Sequence, residues 1–351
     1  MRFMRIVIAT AQVPFVRGGA EIHAEGLRDA LCRAGHEAEI VAVPFKWYPP
    51  SRILDCMLAC RLLDLRESSG SKIDRLIGLR FPAYLIPHPQ KTLWILHQHR
   101  AAYDMWDNRL GDLIHAPDGA AVRAAIMAAD TAIIPEAQSV YTNSGNVSAR
   151  LKKYCGIDSA PLYHPPLNAE AFYTATAEDY LFFPSRLWPV KRQALVLEAL
   201  AKTREPVTVY FAGVADSSDY ELELKNMAQS LGVDQRVRWL GLVSEAEKIA
   251  FYAKATGVVY PPIDEDYGYV TLEAMLASKP VITCSDSGGT LEFVRQRETG
   301  LIAEPTADAL ALAMDELWQN RDQAARWGMA ARSCYQNCNI SWQNVVERLL
   351  T

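Results

Sequence analysis

Residues 257–275 read GVVYPPIDEDYGYVTLEAM, and this stretch decides the fold. Its first part, 257–261, is a short apolar run of the kind that forms a fully buried strand. Pro261 and Pro262 close the run, and a helix follows that extends to about 278. Gly268 sits where the helix starts and permits close backbone approach there. A strand that feeds a helix through a loop is half of a βαβ unit, which requires a parallel sheet.

On either side of this stretch the same alternation recurs, at 180–184 (YLFFP), 207–213 (VTVYFAG), 237–241 (VRWLG) and 280–284 (PVITC), with helical stretches between. Nearer the N-terminus an independent series begins at 4–10 (MRIVIAT). A loop with Pro14, Gly18 and Gly19 follows, then a helix over 20–34 ended by Gly35, then a strand over 38–43. Further strands are expected at 74–77, 92–96 and 140–143, and helices at 51–66, 120–130 and 146–154. The pattern breaks at Tyr163-His164-Pro165-Pro166, and the segment to about 177 reads as a linker. The 351 residues therefore divide into two doubly wound α/β domains, 1–168 and 176–339. Such domains hold ligands at the carboxyl ends of their strands, and two that face one another make a deep cleft.

Composition excludes several classes. Half the residues are hydrophobic, enough for two cores without disulfides or a structural metal. The net charge of −5 gives no reason to expect nucleic acid as partner. Residues 1–170 carry 19 basic against 17 acidic side chains and the remainder 17 against 24, so the first half is slightly basic. Seven cysteines include no C-x2-C pair, which fits free thiols in a reducing cytoplasm. The start has the form of a strand rather than a signal peptide, and no apolar run reaches the roughly 18–20 residues of a membrane span.

The chemistry concentrates in three loops. In the first, Glu265 precedes Gly268, and Glu273 lies about one and a half turns into the helix. A helix start of this kind suits a diphosphate, and a carboxylate at Glu273 can accept from two vicinal hydroxyls. Equally, Glu265 and Asp266 can serve as acids that favour a helix N-terminus. Asp264-Glu265-Asp266 contains a D-x-D metal motif, but its strand–loop–helix setting argues against metal. In the second loop, Arg186 and Lys191 of SRLWPVKR follow the strand 180–184 and could clamp a diphosphate, or could be solvated charges at a domain edge. In the third, Gly18-Gly19-Ala20-Glu21 is not G-x-G-x-x-G, so no dinucleotide cofactor is expected. Trp47, Tyr103 and Trp106 are aromatic candidates for stacking on a sugar, or core residues.

Taken together, GGAE, SRLxxxKR, the Glu265-x7-Glu273 spacing and the turn Asp286-Ser287-Gly288-Gly289 before Glu292 resemble the retaining glycosyltransferases of family 4. That resemblance spans nearly the whole chain. It implies the GT-B fold, two Rossmann-like domains facing across a cleft, with a C-terminal helix at 340–351 crossing back to the first. It implies that Arg186 and Lys191 hold the donor diphosphate and stabilise the leaving nucleotide, that Glu265 faces the donor sugar, and that Glu273 binds ribose. Donor contacts would include Gly18, Gly19, Tyr267, Gly268, Tyr269 and Val270. His97, at the end of the strand 92–96, resembles the family's active-site histidine. Neighbouring His99 would then face the other way, as a loop histidine paired with an acid such as Asp104. Asp266 departs from the family, where many relatives have Gly.

The resemblance thus implies metal-independent hexosyl transfer, with retention, from a UDP- or GDP-sugar to a glycan or lipid-linked acceptor. It needs no cofactor, the nucleotide sugar being co-substrate. The setting it implies is bacterial surface polysaccharide synthesis, in the cytoplasm or at the inner face of the membrane. Competing readings are a nucleotide-sugar epimerase on the same fold and a non-catalytic nucleotide-sugar-binding subunit. Residues 51–66 carry Ile53, Leu54, Met57, Leu58 and Leu62 with three arginines. Such a helix either packs on the core or lies at an anionic membrane surface, which leaves peripheral membrane contact open.

Overall fold

A computed structural model describes residues 3–108, 111–215 and 218–351. By its internal contacts the chain divides into Met1–Leu167 with Ser341–Thr351, and Asn168–Ile340. The second unit thus begins at Asn168, inside the stretch expected as a linker.

The first unit is built on a six-stranded parallel sheet. Its strands are β1 (Arg5–Gln12), β2 (Glu37–Pro44), β5 (Arg75–Gly78), β6 (Lys91–Ile95), β7 (Ser139–Thr142) and β8 (Ala160–Pro161), in the order β2-β1-β5-β6-β7-β8. The two-residue strands β3 (Glu67–Ser68) and β4 (Ser71–Lys72) pair with each other as a small antiparallel hairpin. The sheet is covered on both faces, which is why β1 is apolar along its length. Ile6 and Ile8 pack in one cluster with Leu27 of α1 (Gly19–Arg33) and Val345, Val346 and Leu349 of the last helix. Ala9 and Ala11 pack in the other, with Ile53 of α2 (Ser51–Leu62), Ile126 of α3 (Gly119–Ile133) and Leu151 of α4 (Gly145–Cys155). The period of two along a strand separates the clusters. Local signals fix the ends of α4: Ser144 Oγ accepts from Val147 N at 3.1 Å, and Gly156 closes the helix at φ 70°.

The second unit carries a parallel sheet of β9 (Leu181–Pro184), β10 (Val209–Ala212), β11 (Val237–Gly241), β12 (Gly257–Val259), β13 (Val281–Cys284) and β14 (Gly300–Ala303). Its order is β11-β10-β9-β12-β13-β14. Counted within the unit that is 3-2-1-4-5-6, the doubly wound order whose direction reverses between β9 and β12. Helices α5 (Gln193–Leu200), α6 (Ser218–Ser230), α7 (Glu245–Lys254), α8 (Tyr269–Leu276), α9 (Ala307–Gln319) and α10 (Arg321–Asn337) surround it. Strand β14 has no counterpart among the sequence expectations. The final helix, α11 (Trp342–Leu350), belongs to the first unit, where Arg75 Nη1 donates to Leu349 O at 2.6 Å.

Helix α2 ends at Leu62 rather than at 66, because Leu63 turns extended (ψ 130°). It is apolar on two faces: Ile53, Met57 and Cys60 are buried, while Leu54, Leu58 and Leu62 are exposed. Among the described residues no helix is long and apolar enough to cross a membrane.

Candidate active site

Strands β9 and β12 are neighbours at the reversal point of the second sheet, and their carboxyl ends lead into the two loops that carry Arg186, Lys191 and Glu265. That is where an open α/β sheet forms a crevice. The loops are stitched together: Ile263 N donates to Val190 O at 2.8 Å. A further seam joins the Glu265 loop to the turn after β13, with Asp264 N to Asp286 O at 2.9 Å, Glu265 N to Ser287 O at 3.2 Å and Gly289 N to Glu265 O at 2.7 Å. The contact is so close that a Cβ on Gly289 would lie 2.6 Å from Asp266 O. Arg192, at φ 61°, makes a two-pronged pair with Asp286 at 2.6 and 2.5 Å, so its charge is engaged in holding this seam.

Within the frame, Lys191 Nζ contacts Glu265 Oε2 and donates to the Tyr260 hydroxyl at 3.0 Å; that hydroxyl donates to Glu265 Oε2 at 2.7 Å. Burial opposes charge on Glu265, yet Lys191 and these hydrogen bonds hold its carboxyl below the ordinary range. Burial and the Glu265 charge push the Tyr260 phenol well up, so it remains a donor. The outcome is a lysine–carboxylate ion pair bridged by a phenol. Arg186 is exposed, with its guanidinium 5.8 Å from the centre of the Trp188 ring. Its loop is braced by the fully buried Gln193, whose Nε2 donates to Arg186 O at 3.0 Å.

Glu273 lies on α8, buried, with Lys248 Nζ donating to Oε1 at 2.8 Å and the Tyr252 hydroxyl to Oε2 at 2.7 Å. Burial raises its pKa despite both partners, and Glu273 raises that of Lys248 against the effect of burial. Gly268 takes φ 82°, a conformation that suits glycine, directly before α8 and so at the positive end of its dipole. Val270 is buried and Tyr269 half-buried in the first turn. The Tyr267 ring is in the core, edge-on to Tyr269 and Phe293.

In the first unit, Gly18 caps α1, and its N–H donates to Glu21 at 2.7 Å. The acid of GGAE is thereby a helix cap, with Arg80 3.4 Å away. Gly19 opens the helix. His97 follows β6, and its Nδ1 lies 2.7 Å from Gln98 O, which places the proton on Nδ1 in the neutral ring. His99 does not pair with Asp104, which is bound by Arg100 and Arg150; it packs against Phe45 and Phe81. Burial lowers the His99 pKa to about 4.

Tyr103, read as an acceptor contact or a core residue, is in the core. It is 3% exposed, with its hydroxyl donating to Asp130 at 2.7 Å, so the ring offers no face to an acceptor. Trp106 is half-buried under the Arg123 guanidinium, and Trp47 is exposed beside Tyr48.

Residues that sequence reasoning missed are Tyr260, Lys248, Tyr252 and Gln193. A tyrosine directly after β12, five residues before the loop acid, and the i,i+4 pair Lys248/Tyr252 on one face of α7, were the available signals.

Comparison with known proteins fits this geometry. Residues 170–333, almost all of the second unit, match the family model "Glycosyl transferases group 1". The match lies within the second unit. A relative is the human alpha-1,3/1,6-mannosyltransferase ALG2, 31% identical over 206 residues, covering 52% of this chain and 49% of that protein. The chain spans about half the length of the curated relatives it matches. Two solved structures match nearly throughout. One is sucrose-phosphate synthase from Thermosynechococcus elongatus (TM-score 0.77, 17% identity, 98% of this chain and 97% of that one). The other is Anabaena Alr3699/HepE in complex with UDP-glucose (TM-score 0.73, 16% identity, 99% and 98%). At these identities the likeness concerns the fold, which is the GT-B fold of group 1 glycosyl transferases.

Proposed function

We propose that this chain transfers a hexose from a UDP- or GDP-sugar to a hydroxyl of a glycan or lipid-linked acceptor, with retention and without a metal ion. The observation that carries this reading is the Lys191–Tyr260–Glu265 cluster at the β9/β12 reversal point, beside Arg186 and the start of α8. Departure of a nucleoside diphosphate develops negative charge on the leaving phosphate. Preorganised cations there lower the barrier, which is the task a divalent ion performs elsewhere. Arg186 and Lys191 supply that charge from the protein, and Glu265, released from Lys191, is placed to orient the sugar. Glu273 anchors the nucleotide through ribose hydroxyls, each carboxylate oxygen keeping acceptor capacity beyond its present donor.

Retention with no covalent intermediate on Glu265 fits a carboxylate held ionised and occupied by a lysine. His97 acts on the transferred sugar in this reading. The UDP-glucose bound by Alr3699/HepE and the mannosyl transfer named for the human relative support a nucleotide hexose as donor. The setting we favour is the cytoplasm, at the inner face of the membrane, in surface polysaccharide synthesis.

The test is thermal shift with a panel of UDP- and GDP-sugars, followed by product analysis with and without acceptor in the presence of a chelator. Binding raises stability by mass action. A stabilising donor consumed only when acceptor is added supports the reading. Conversion of donor without acceptor assigns an epimerase, and binding with no turnover assigns a silent binding subunit.

A further inference from the structure

Asp130 is fully buried on α3, and among the described residues its carboxylate accepts from neutral groups alone. The Tyr84 hydroxyl donates to Oδ1 at 2.9 Å; the Tyr103 hydroxyl and Gln98 Nε2 donate to Oδ2 at 2.7 and 3.0 Å. Tyr84 and Tyr103 belong to the apolar core of the first unit, so the carboxylate is held away from water with no cation to offset the cost. An apolar side chain of similar volume would be the cheaper occupant of such a place. What the carboxylate adds is direction: it gathers donors from the turn after β5 and from the loop after β6 onto one helix.

Gln98 carries that direction outward. It is 5% exposed, and its Nε2 is spent on Asp130 and on Cys155 Sγ at 3.2 Å. With the side chain fixed at the inner end, the backbone carbonyl of Gln98 is fixed too, and it accepts from His97 Nδ1 at 2.7 Å. A hydrogen bond at Nδ1 sets the plane of the ring and leaves Nε2 of the neutral imidazole as an acceptor for a hydroxyl. Tyr84 pairs with the other carboxylate oxygen and has no such route to His97.

We propose that Asp130 is a positioning residue, which through Gln98 fixes the ring orientation and the Nδ1–H tautomer of His97. The consequence for rate rests on the reading in which His97 acts on the transferred sugar; the tautomer itself does not.

Proton–nitrogen correlation NMR of the full chain, labelled at its histidine nitrogens, tests this at about pH 8, where imidazole is neutral. The His97 signals are assigned by their loss in His97→Ala. Expected in the wild type is the Nδ1–H form. In Asp130→Asn and in Gln98→Met the ratio of Nδ1–H to Nε2–H should fall about tenfold, the scale of one lost hydrogen bond. Gln98→Met decides should Asp130→Asn fold poorly. Tyr84→Phe also takes a donor from Asp130 but should leave the His97 signals in place, which separates positioning from a general loosening of the first unit. An unchanged tautomer in both Asp130→Asn and Gln98→Met overturns the proposal. A wild type in the Nε2–H form overturns it as well, as does a shift in Tyr84→Phe equal to that in Asp130→Asn. The readout needs no donor sugar, so its failure is distinct from failure of the sugar-transfer reading, which the kinetics of His97→Ala decide.

Discussion

The ammonium of Lys191 rests against the carboxylate of Glu265, and the Tyr260 hydroxyl bridges the two. On the proposed reading Lys191→Ala removes the cation that serves the leaving phosphate, and it takes from Glu265 its ion-pair partner. Turnover is expected to fall about a hundredfold or more, the scale for losing one preorganised charge donor. Steady-state kinetics check this, with Lys191→Arg recovering part of the rate; wild-type turnover in Lys191→Ala would refute the diphosphate role.

Arg186 is exposed beside Trp188, so Arg186→Ala has little to disturb in the core. Its melting temperature should stay within a degree or two of wild type, while kcat/KM drops about a hundredfold. A parallel loss of stability and activity would instead mark it as a structural residue.

Glu273 joins Lys248 and Tyr252 in the interior of the second unit. Glu273→Gln keeps the shape but leaves Lys248 facing a neutral amide. A destabilisation of about 1–3 kcal/mol is expected in denaturant unfolding, together with weaker binding of the free nucleoside diphosphate. Stability loss with unchanged nucleotide affinity would remove the ribose role and keep the scaffold role.

Gly289 has no room for a methyl group, because Asp266 O lies in its path. Gly289→Ala should destabilise by about 1–3 kcal/mol and weaken donor binding, since the displaced backbone adjoins Glu265. Calorimetry of unfolding and of donor titration reads both effects; an unaltered donor affinity would show that the seam does not shape the site.

Asp130 is fully buried and accepts from Tyr84 at 2.9 Å, Gln98 at 3.0 Å and Tyr103 at 2.7 Å. Burial raises its pKa to about 6, against hydrogen bonds that lower it. The folded state therefore holds this proton more tightly than the unfolded chain. Its contribution favours folding most below the unfolded value near 3.8, diminishes as pH rises, and is gone above about 6. Unfolding titrations of wild type and Asp130→Asn should differ in slope across that window and run parallel above pH 7. Parallel curves throughout would mean that folding leaves the Asp130 pKa unchanged.

The strand–helix alternation was legible because each strand is a short buried run and each connection is punctuated by Gly or Pro. That the loops carrying Arg186, Lys191 and Glu265 adjoin was legible for the same reason: topology sets the loop after β9 beside the loop after β12. Burial was not. Tyr103 and Tyr267 look like any loop aromatics until Asp130 and Phe293 are seen beside them. Lys248 stands on a helix with no motif of its own, and only packing brings it to Glu273. Residues 51–66 left open whether an apolar face met the core or a membrane surface; the second apolar face emerges once the helix is seen to bury Ile53 and Met57 and leave its leucines outside.

Helix α11 has a consequence for biosynthesis. The first unit consists of two stretches of chain separated by the entire second unit, and the later stretch brings Trp342 against Gly26, where a Cβ would lie 2.5 Å from the indole. During synthesis the β1–β8 sheet must therefore wait, with the face on which Val345, Val346 and Leu349 settle still uncovered, while residues 168–340 are made. The second unit is continuous in sequence and can fold first. The β1 face stays uncovered until α11 is made, and it is the surface a chaperone would shield in the interval.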